Sequence, residues 1–248
     1  MFDLYLALGD SMSIDFYPAQ DAERAGVSTL EDIGSASLLY RNDQNLFPEF
    51  AGQDLVTLCP GIRYVNLAVD GATCDDLLSD SWVRAIKSEP KSQPLVTLTL
   101  GGNDLLHAFR ISHGRDSKNL VTEFEKVQKQ YEKVLRYIRK QLPTCLLVLT
   151  TVFDPTDGTG VLPSAAQPYE SNLPIEFLDK FNSYVHAFGG TESLLIADVH
   201  HHFFGHGALC GSTDNFWYWK PSPIEPSYIG ASEIRRVWLD ELKDRFQA

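Results

Sequence analysis

Ser11 stands where a short apolar run ends in a turn, in the sequence LYLALGDSMS at residues 4–13. The run LYLAL predicts a first strand, and Gly9 and Asp10 predict that the chain turns directly after it. A Gly-Asp-Ser sequence by itself is more often a turn or a helix cap. A serine with a glycine behind it can nevertheless project its hydroxyl clear of the backbone, so Ser11 is a candidate nucleophile.

Two further positions offer hydrogen-bond donors for a developing oxyanion. Gly71 follows the apolar segment 62–68, and its backbone N–H is not shielded by a side chain. Asn103 follows the segment 94–100 and carries a carboxamide N–H. With the N–H of Ser11, these groups could stabilise the negative charge that forms on a carbonyl oxygen during acyl transfer. Their joint presence after successive strands favours a catalytic site over three unrelated turn residues.

The elements that must position these residues are strands alternating with helices. Five apolar runs predict strands at residues 4–8, 62–68, 94–100, 145–153 and 193–199. Their nearly continuous apolar character is typical of strands buried on both faces. Helices are predicted at 46–55, 117–142, 174–188 and 230–246, and long loops at 15–45 and 154–172. The alternation predicts a parallel sheet with helices on both faces, within one domain that spans residues 1–248.

Three sequence blocks resemble, in the same order, the first three blocks of the SGNH or GDSL-type hydrolases. They are GDSMS at 9–13, NLAVDGAT at 66–73 and GGND at 101–104. The final helix, YIGASEIRRVWLDEL, is similar to the segment that follows the last block of that family. The resemblance implies an α/β fold, specifically a three-layer α/β/α, flavodoxin-like architecture with a parallel five-stranded sheet.

The same resemblance implies a serine esterase or acylhydrolase. Such an enzyme would cleave an ester or thioester through an acyl-enzyme on Ser11. The oxyanion hole would consist of Ser11, Gly71 and Asn103. No cofactor is implied.

The last block of the family, Asp-x-x-His usually followed by Pro, is altered here. The sequence SPIEP puts Ser222 in the Asp position and Glu225 in the His position. The glycine-flanked His206 could supply the base, with Glu225 orienting it. Glu225 could itself be the base if burial raised its pKa. A third possibility is a non-catalytic binding domain that no longer turns an ester over. We predict the first, with Ser11, His206 and Glu225 as the catalytic residues.

A cluster of histidines offers an alternative of another class, a metal hydrolase. His200, His201 and His202 could bind a metal ion together with His206 and Cys210. The glycines between these positions speak against a continuous helix that would align them. We therefore predict neither a metal site nor a cofactor.

Composition and charge narrow the class of partner. The chain has 248 residues, 44% of them hydrophobic, and a formal net charge of −12. An acidic surface argues against nucleic acid or an anionic membrane as the main partner. The family resemblance implies a small-molecule acyl ester as the partner instead. No run approaches the length of a transmembrane segment, and neither a signal-peptide pattern nor a disulfide framework is visible. The sequence predicts a cytoplasmic protein and leaves its oligomeric state open.

Overall fold

The sheet of this protein is parallel throughout. The computed structural model describes residues 2–79, 93–112, 117–162, 173–189, 193–212 and 215–246. Five strands within these ranges form one sheet in the order β2-β1-β3-β4-β5, and every neighbouring pair is parallel. They are β1 (Leu4–Gly9), β2 (Arg63–Asn66), β3 (Pro94–Thr99), β4 (Leu146–Thr150) and β5 (Leu194–Ala197). This order is the flavodoxin-like arrangement, which confirms the predicted fold.

Alternation along the strands explains why they are apolar on both sides. In β1, Leu6 and Leu8 belong to one apolar cluster, and Tyr5 and Ala7 belong to another. Successive side chains of a strand point to opposite faces of the sheet. Each face therefore needs its own apolar row, and each row is covered by helices.

Nine helices lie within the described residues. They are α1 (Phe16–Arg24), α2 (Ser35–Tyr40), α3 (Leu55–Leu58), α4 (Cys74–Leu77), α5 (Gly102–Ile111), α6 (Ser117–Gln141), α7 (Ile175–His186), α8 (Val199–Phe203) and α9 (Tyr228–Phe246). The hydrophobic core residues of α4 to α7 belong to the cluster on one face of the sheet, and those of the other helices belong to the cluster on the opposite face. In the ranges that the structure describes, no helix has both the length and the apolarity to cross a membrane.

Several local predictions were wrong. The segment 46–55 is not one helix, because a 3-10 turn at Pro48–Phe50 precedes α3. The predicted loop 15–45 contains α1 and α2, and residues 35–39 of α2 are buried. A short helix buried on most sides has no amphipathic period by which sequence could reveal it. Residues 154–162 of the second predicted loop form turns and bends, and residues 163–172 lie outside the described part of the chain.

Candidate active site

Strand β1 brings Ser11 to the carboxyl edge of the sheet. Gly9 ends the strand with a φ of 134°, and a Cβ at this position would overlap the carbonyl oxygen of Thr99. Only glycine therefore lets β1 and β3 approach so closely here. The Asp10 N–H donates to that same oxygen over 3.0 Å. The Asp10 carboxylate accepts a backbone N–H of the 3-10 turn Ser11–Ser13 at 3.1 Å, and these bonds hold Ser11 at the start of the turn.

The turn that contains Gly71 is bonded to the start of α5. Gly71 has a φ of 71°, in the left-handed region that favours glycine. Asn103, the second residue of α5, donates from Nδ2 to the carbonyl oxygen of Ala72 at 3.1 Å. Asp104 accepts the backbone N–H of Cys74 at 3.0 Å and joins the same two segments again. A carboxamide nitrogen carries two hydrogens, so Asn103 keeps one for a ligand.

The altered last block forms a tight turn that carries Glu225. The Glu225 N–H donates to the Ser222 carbonyl at 2.9 Å, and the Glu225 carbonyl accepts the Trp219 N–H at 2.8 Å. Two residues later, the hydroxyl of Ser227 accepts a backbone N–H in the first turn of α9. The turn is thus anchored at both ends, and the side chain of Glu225 is buried, with 7% of the residue exposed.

Two carboxyl groups beside Ser11 have pKa values near neutrality. Burial raises the pKa of Glu225 from 4.5 to about 7, with Asp10 and Asp70 acting in the same direction and the Ser11 hydroxyl opposing them. Burial also raises the pKa of Asp10 to about 7, against hydrogen bonds that favour its ionised form. A candidate proton acceptor with a pKa near 7 therefore lines the same pocket as the candidate nucleophile.

A largely apolar pocket opens beside these groups. Its polar lining side chains are Asp10, Ser11, Asn103, Asp154 and Glu225. Most of the other walls are apolar and include Leu106, Phe109, Phe124, Phe177, Leu178 and Ile224. The pocket has an empty volume of about 920 Å³, with the open solvent at its mouth included. It can accommodate a small molecule with a substantial apolar part.

His206 is not one of the residues that line this pocket. Gly205, with a φ of 90°, turns the chain just before it. The His206 ring stacks on Trp217 with 3.4 Å between the ring centroids, and its Nδ1 donates to the Asn215 carbonyl at 2.9 Å. The structure thus brings Ser11, Asn103 and Glu225 to one pocket and holds His206 elsewhere, contrary to the predicted position of this histidine.

The histidines of the alternative metal site also have other partners. His202 Nε2 lies 2.8 Å from a carboxylate oxygen of Glu233. Among the described residues, no three His, Cys, Asp or Glu side chains lie together in a way that could bind one metal ion. The set of three successive histidines, His206 and Cys210 is therefore not assembled.

The sequence from residue 7 to residue 219 matches the model of a known family, the GDSL-like lipases and acylhydrolases. The chain belongs to the GDSL-like lipase/acylhydrolase family. The match includes the three blocks that carry Ser11, Gly71 and Asn103. It ends before Ser222, so the altered block with Glu225 lies outside the matched region.

Solved structures of GDSL-type and related hydrolases have the same fold. The lipase Lip_vut3 from a goat rumen metagenome aligns with a TM-score of 0.61 at 18% identity, over 96% of each chain. Phospholipase A1 from Streptomyces albidoflavus NA297 aligns with a TM-score of 0.56 at 19% identity, over 98% of this chain and 99% of that one. A catalytic mutant of Axe2, an acetylxylan esterase from Geobacillus stearothermophilus, aligns with a TM-score of 0.57 at 18% identity, over 97% of this chain and 94% of that one. A comparison with curated protein sequences gives no match.

Sequence reasoning missed two parts of this GDSL-family site. The first is Thr99, whose backbone oxygen and hydroxyl accept the Asp10 N–H at 3.0 and 3.2 Å. No sequence motif identifies a residue that accepts a hydrogen bond from a neighbouring strand end, as Thr99 does. The second is the apolar wall of the pocket on α5, where Leu105, Leu106 and Phe109 lie. Their spacing of three and four residues was a signal that a search for helical period could have found.

Proposed function

We propose that this GDSL-family protein is a serine acylhydrolase that cleaves an ester or thioester through an acyl-enzyme on Ser11. One observation carries the proposal: Ser11, Asn103 and Glu225 line the same pocket, whose remaining walls are mostly apolar. A nucleophile, an amide donor and a carboxylate in one buried place are the parts that acyl transfer requires.

In this mechanism the Ser11 Oγ attacks the carbonyl carbon of the substrate. The electron pair of the C=O bond moves to the oxygen, and the resulting negative charge is stabilised by hydrogen bonds from the N–H groups of Ser11 and Gly71 and from the free Nδ2 hydrogen of Asn103. The bond from Asn103 to Ala72 supports this role because it holds the carboxamide against the Gly71 turn. Collapse of the intermediate expels the alcohol or thiol, and water then releases the acid.

The acyl group is the part of the substrate that the pocket suits. The aromatic rings of Phe124 and Phe177 lie 5.3 Å apart in an edge-to-face arrangement, and both belong to the pocket wall. Burial of each methylene of an acyl chain on such a wall contributes about 0.8 kcal/mol. We therefore propose an ester whose acyl group is apolar and longer than acetyl.

A fluorophosphonate probe tests the nucleophile, because it labels a serine only when the hydroxyl is activated. We expect the wild-type protein to be labelled on Ser11 and to hydrolyse p-nitrophenyl esters, and Ser11→Ala to lose both properties. Ser13→Ala is the matched control, since Ser13 belongs to the same turn and its hydroxyl contacts Thr99 at 2.9 Å. This variant should keep the labelling.

Two outcomes would contradict the proposal. Undiminished turnover by a folded Ser11→Ala variant would exclude Ser11 as the nucleophile. A folded wild-type protein that takes no label and cleaves no ester would instead favour a non-catalytic binding domain, the alternative that the altered Ser222-x-x-Glu225 block suggests.

A further inference from the structure

The Ser11 proton needs an acceptor, and the structure offers a carboxylate in the position where this family has a histidine. Glu225 occupies the His position of the altered block and lines the pocket together with Ser11. None of the histidines in the described ranges lines that pocket. His206, the histidine that precedes this block, is stacked on Trp217.

The surroundings of Glu225 leave its carboxylate available for a proton. Its Oε2 is buried and has no hydrogen-bond partner within the part of the chain that the structure describes. Ser11 lines the same pocket as Glu225, and its hydroxyl favours the ionised form of this carboxylate. A buried carboxylate oxygen without a partner is costly to maintain, so a group that meets it during the reaction would satisfy it.

We propose that Glu225 is the general base of this site, so that a carboxylate replaces the usual histidine. This inference rests on the proposed serine mechanism. It assigns to Glu225 a direct role in proton transfer, in place of the orienting role that the sequence predicted.

The proton and bonds balance without any further reactant than water. As the Ser11 Oγ bonds to the carbonyl carbon, its proton passes to Glu225. When the carbon–oxygen bond to the leaving group breaks, the protonated Glu225 returns this proton to the departing alkoxide. A water molecule then attacks the acyl carbon and gives a proton to Glu225, which passes it to the Ser11 oxygen as the acid leaves.

The charges around Glu225 suit this role. The ionisable groups that face it are Asp10 from the end of β1, Asp70 from the loop after β2 and Tyr17 from α1. Asp10 and Asp70 are acidic, and both raise the pKa of Glu225, which burial brings to about 7. A free glutamic acid is too weak a base for serine, whereas one with a pKa near the working pH is well matched.

Substitutions at the two candidate bases separate them. We expect Glu225→Gln to lower kcat/KM for p-nitrophenyl esters by about 10²- to 10⁴-fold, the usual worth of a general base. Glu225→Asp should recover part of this loss, because it keeps a carboxylate. His206→Asn tests the rival base, and we expect it to change kcat/KM by less than about threefold. Glu125→Gln, at an exposed position of α6, is the matched control.

The pH profile adds a readout that a structural role would not move. Wild-type kcat/KM should fall about tenfold per pH unit below pH 7, because protonated Glu225 cannot accept the proton. The residual kcat/KM of Glu225→Gln should lack this fall at acidic pH, the acid limb of the profile. Glu225→Asp should keep an acid limb, with its midpoint at a different pH. If the limb came instead from Asp10, whose pKa is also about 7, Glu225→Gln would keep it, and that result would overturn the inference.

The outcomes distinguish this inference from the proposed function. If Ser11→Ala is inactive but Glu225→Gln keeps the wild-type rate and acid limb, the serine mechanism stands and Glu225 is not the base. A loss in His206→Asn as large as that in Glu225→Gln would likewise overturn the inference. If the folded wild-type protein has no Ser11-dependent activity, the proposed function itself fails.

Discussion

Removing the ionisable group of Glu225 should stabilise the protein at neutral and alkaline pH. The pKa of this carboxyl rises from 4.5 in an exposed setting to about 7 in the fold. At about 1.4 kcal/mol per pKa unit, the ionised carboxylate costs the folded state about 3 kcal/mol relative to the unfolded chain. Glu225→Gln introduces a neutral side chain of nearly the same shape, so the folded variant does not carry the cost of a buried ionised carboxylate.

The direction of the pH dependence follows from the raised pKa. Below pH 4.5 the carboxyl is protonated in both the folded and the unfolded chain, so Glu225→Gln and wild type should have similar free energies of unfolding. As the pH rises towards 7, the unfolded chain gives up its proton while the folded protein retains it, and the wild type loses stability. Above pH 7 the variant should be more stable by up to about 3 kcal/mol.

Urea unfolding between pH 4 and pH 9, followed by the fluorescence of the four tryptophans, measures this difference. Asp10 is present in both proteins, so its own raised pKa largely cancels from the comparison. Glu125→Gln should show no comparable trend. A difference between Glu225→Gln and wild type that stays constant from pH 4 to pH 9 would refute the reasoning, as would a variant that is less stable than wild type at pH 8.

Three further predictions concern the oxyanion hole, the acyl pocket and the core. Asn103→Ala should lower kcat about a hundredfold with little change in KM, since the lost hydrogen bond forms in the transition state; a change in KM alone would assign Asn103 to substrate binding. Leu106→Trp should lower the ratio of kcat/KM for p-nitrophenyl octanoate to that for the acetate by at least about tenfold, because it fills the pocket, and an unchanged ratio would place the acyl chain elsewhere. Arg235→Ala should reduce the free energy of unfolding by about 3 kcal/mol in urea titrations, because buried Arg235 donates to Asn42 at 2.9 Å and lies 3.5 Å from the ring centre of Phe50. A loss below about 1 kcal/mol would mean that water replaces these contacts.

The fold was accessible from sequence because its signals are local. Continuous apolar runs and intervening helical periods predicted the parallel sheet, and the structure has all five strands near the predicted positions. Helix α2 was missed because burial on nearly every side erased the amphipathic pattern. The segment 46–55 was misassigned because Pro48 and Gly52 divide it into short pieces that an apolar pattern alone does not separate.

The sequence by itself determined which residues of the first three blocks could do chemistry. Ser11, Gly71 and Asn103 each follow a strand, and parallel strands place such residues at one edge of the sheet. Only the tertiary structure decided which group faces Ser11 from the last block. Proximity in sequence favoured His206, but a stack on Trp217 and a bond to Asn215 hold that ring away from the pocket lining. Glu225 looked too acidic on its own, and its basicity comes from burial beside other carboxyls, a property of the assembled fold that no single stretch of sequence contains.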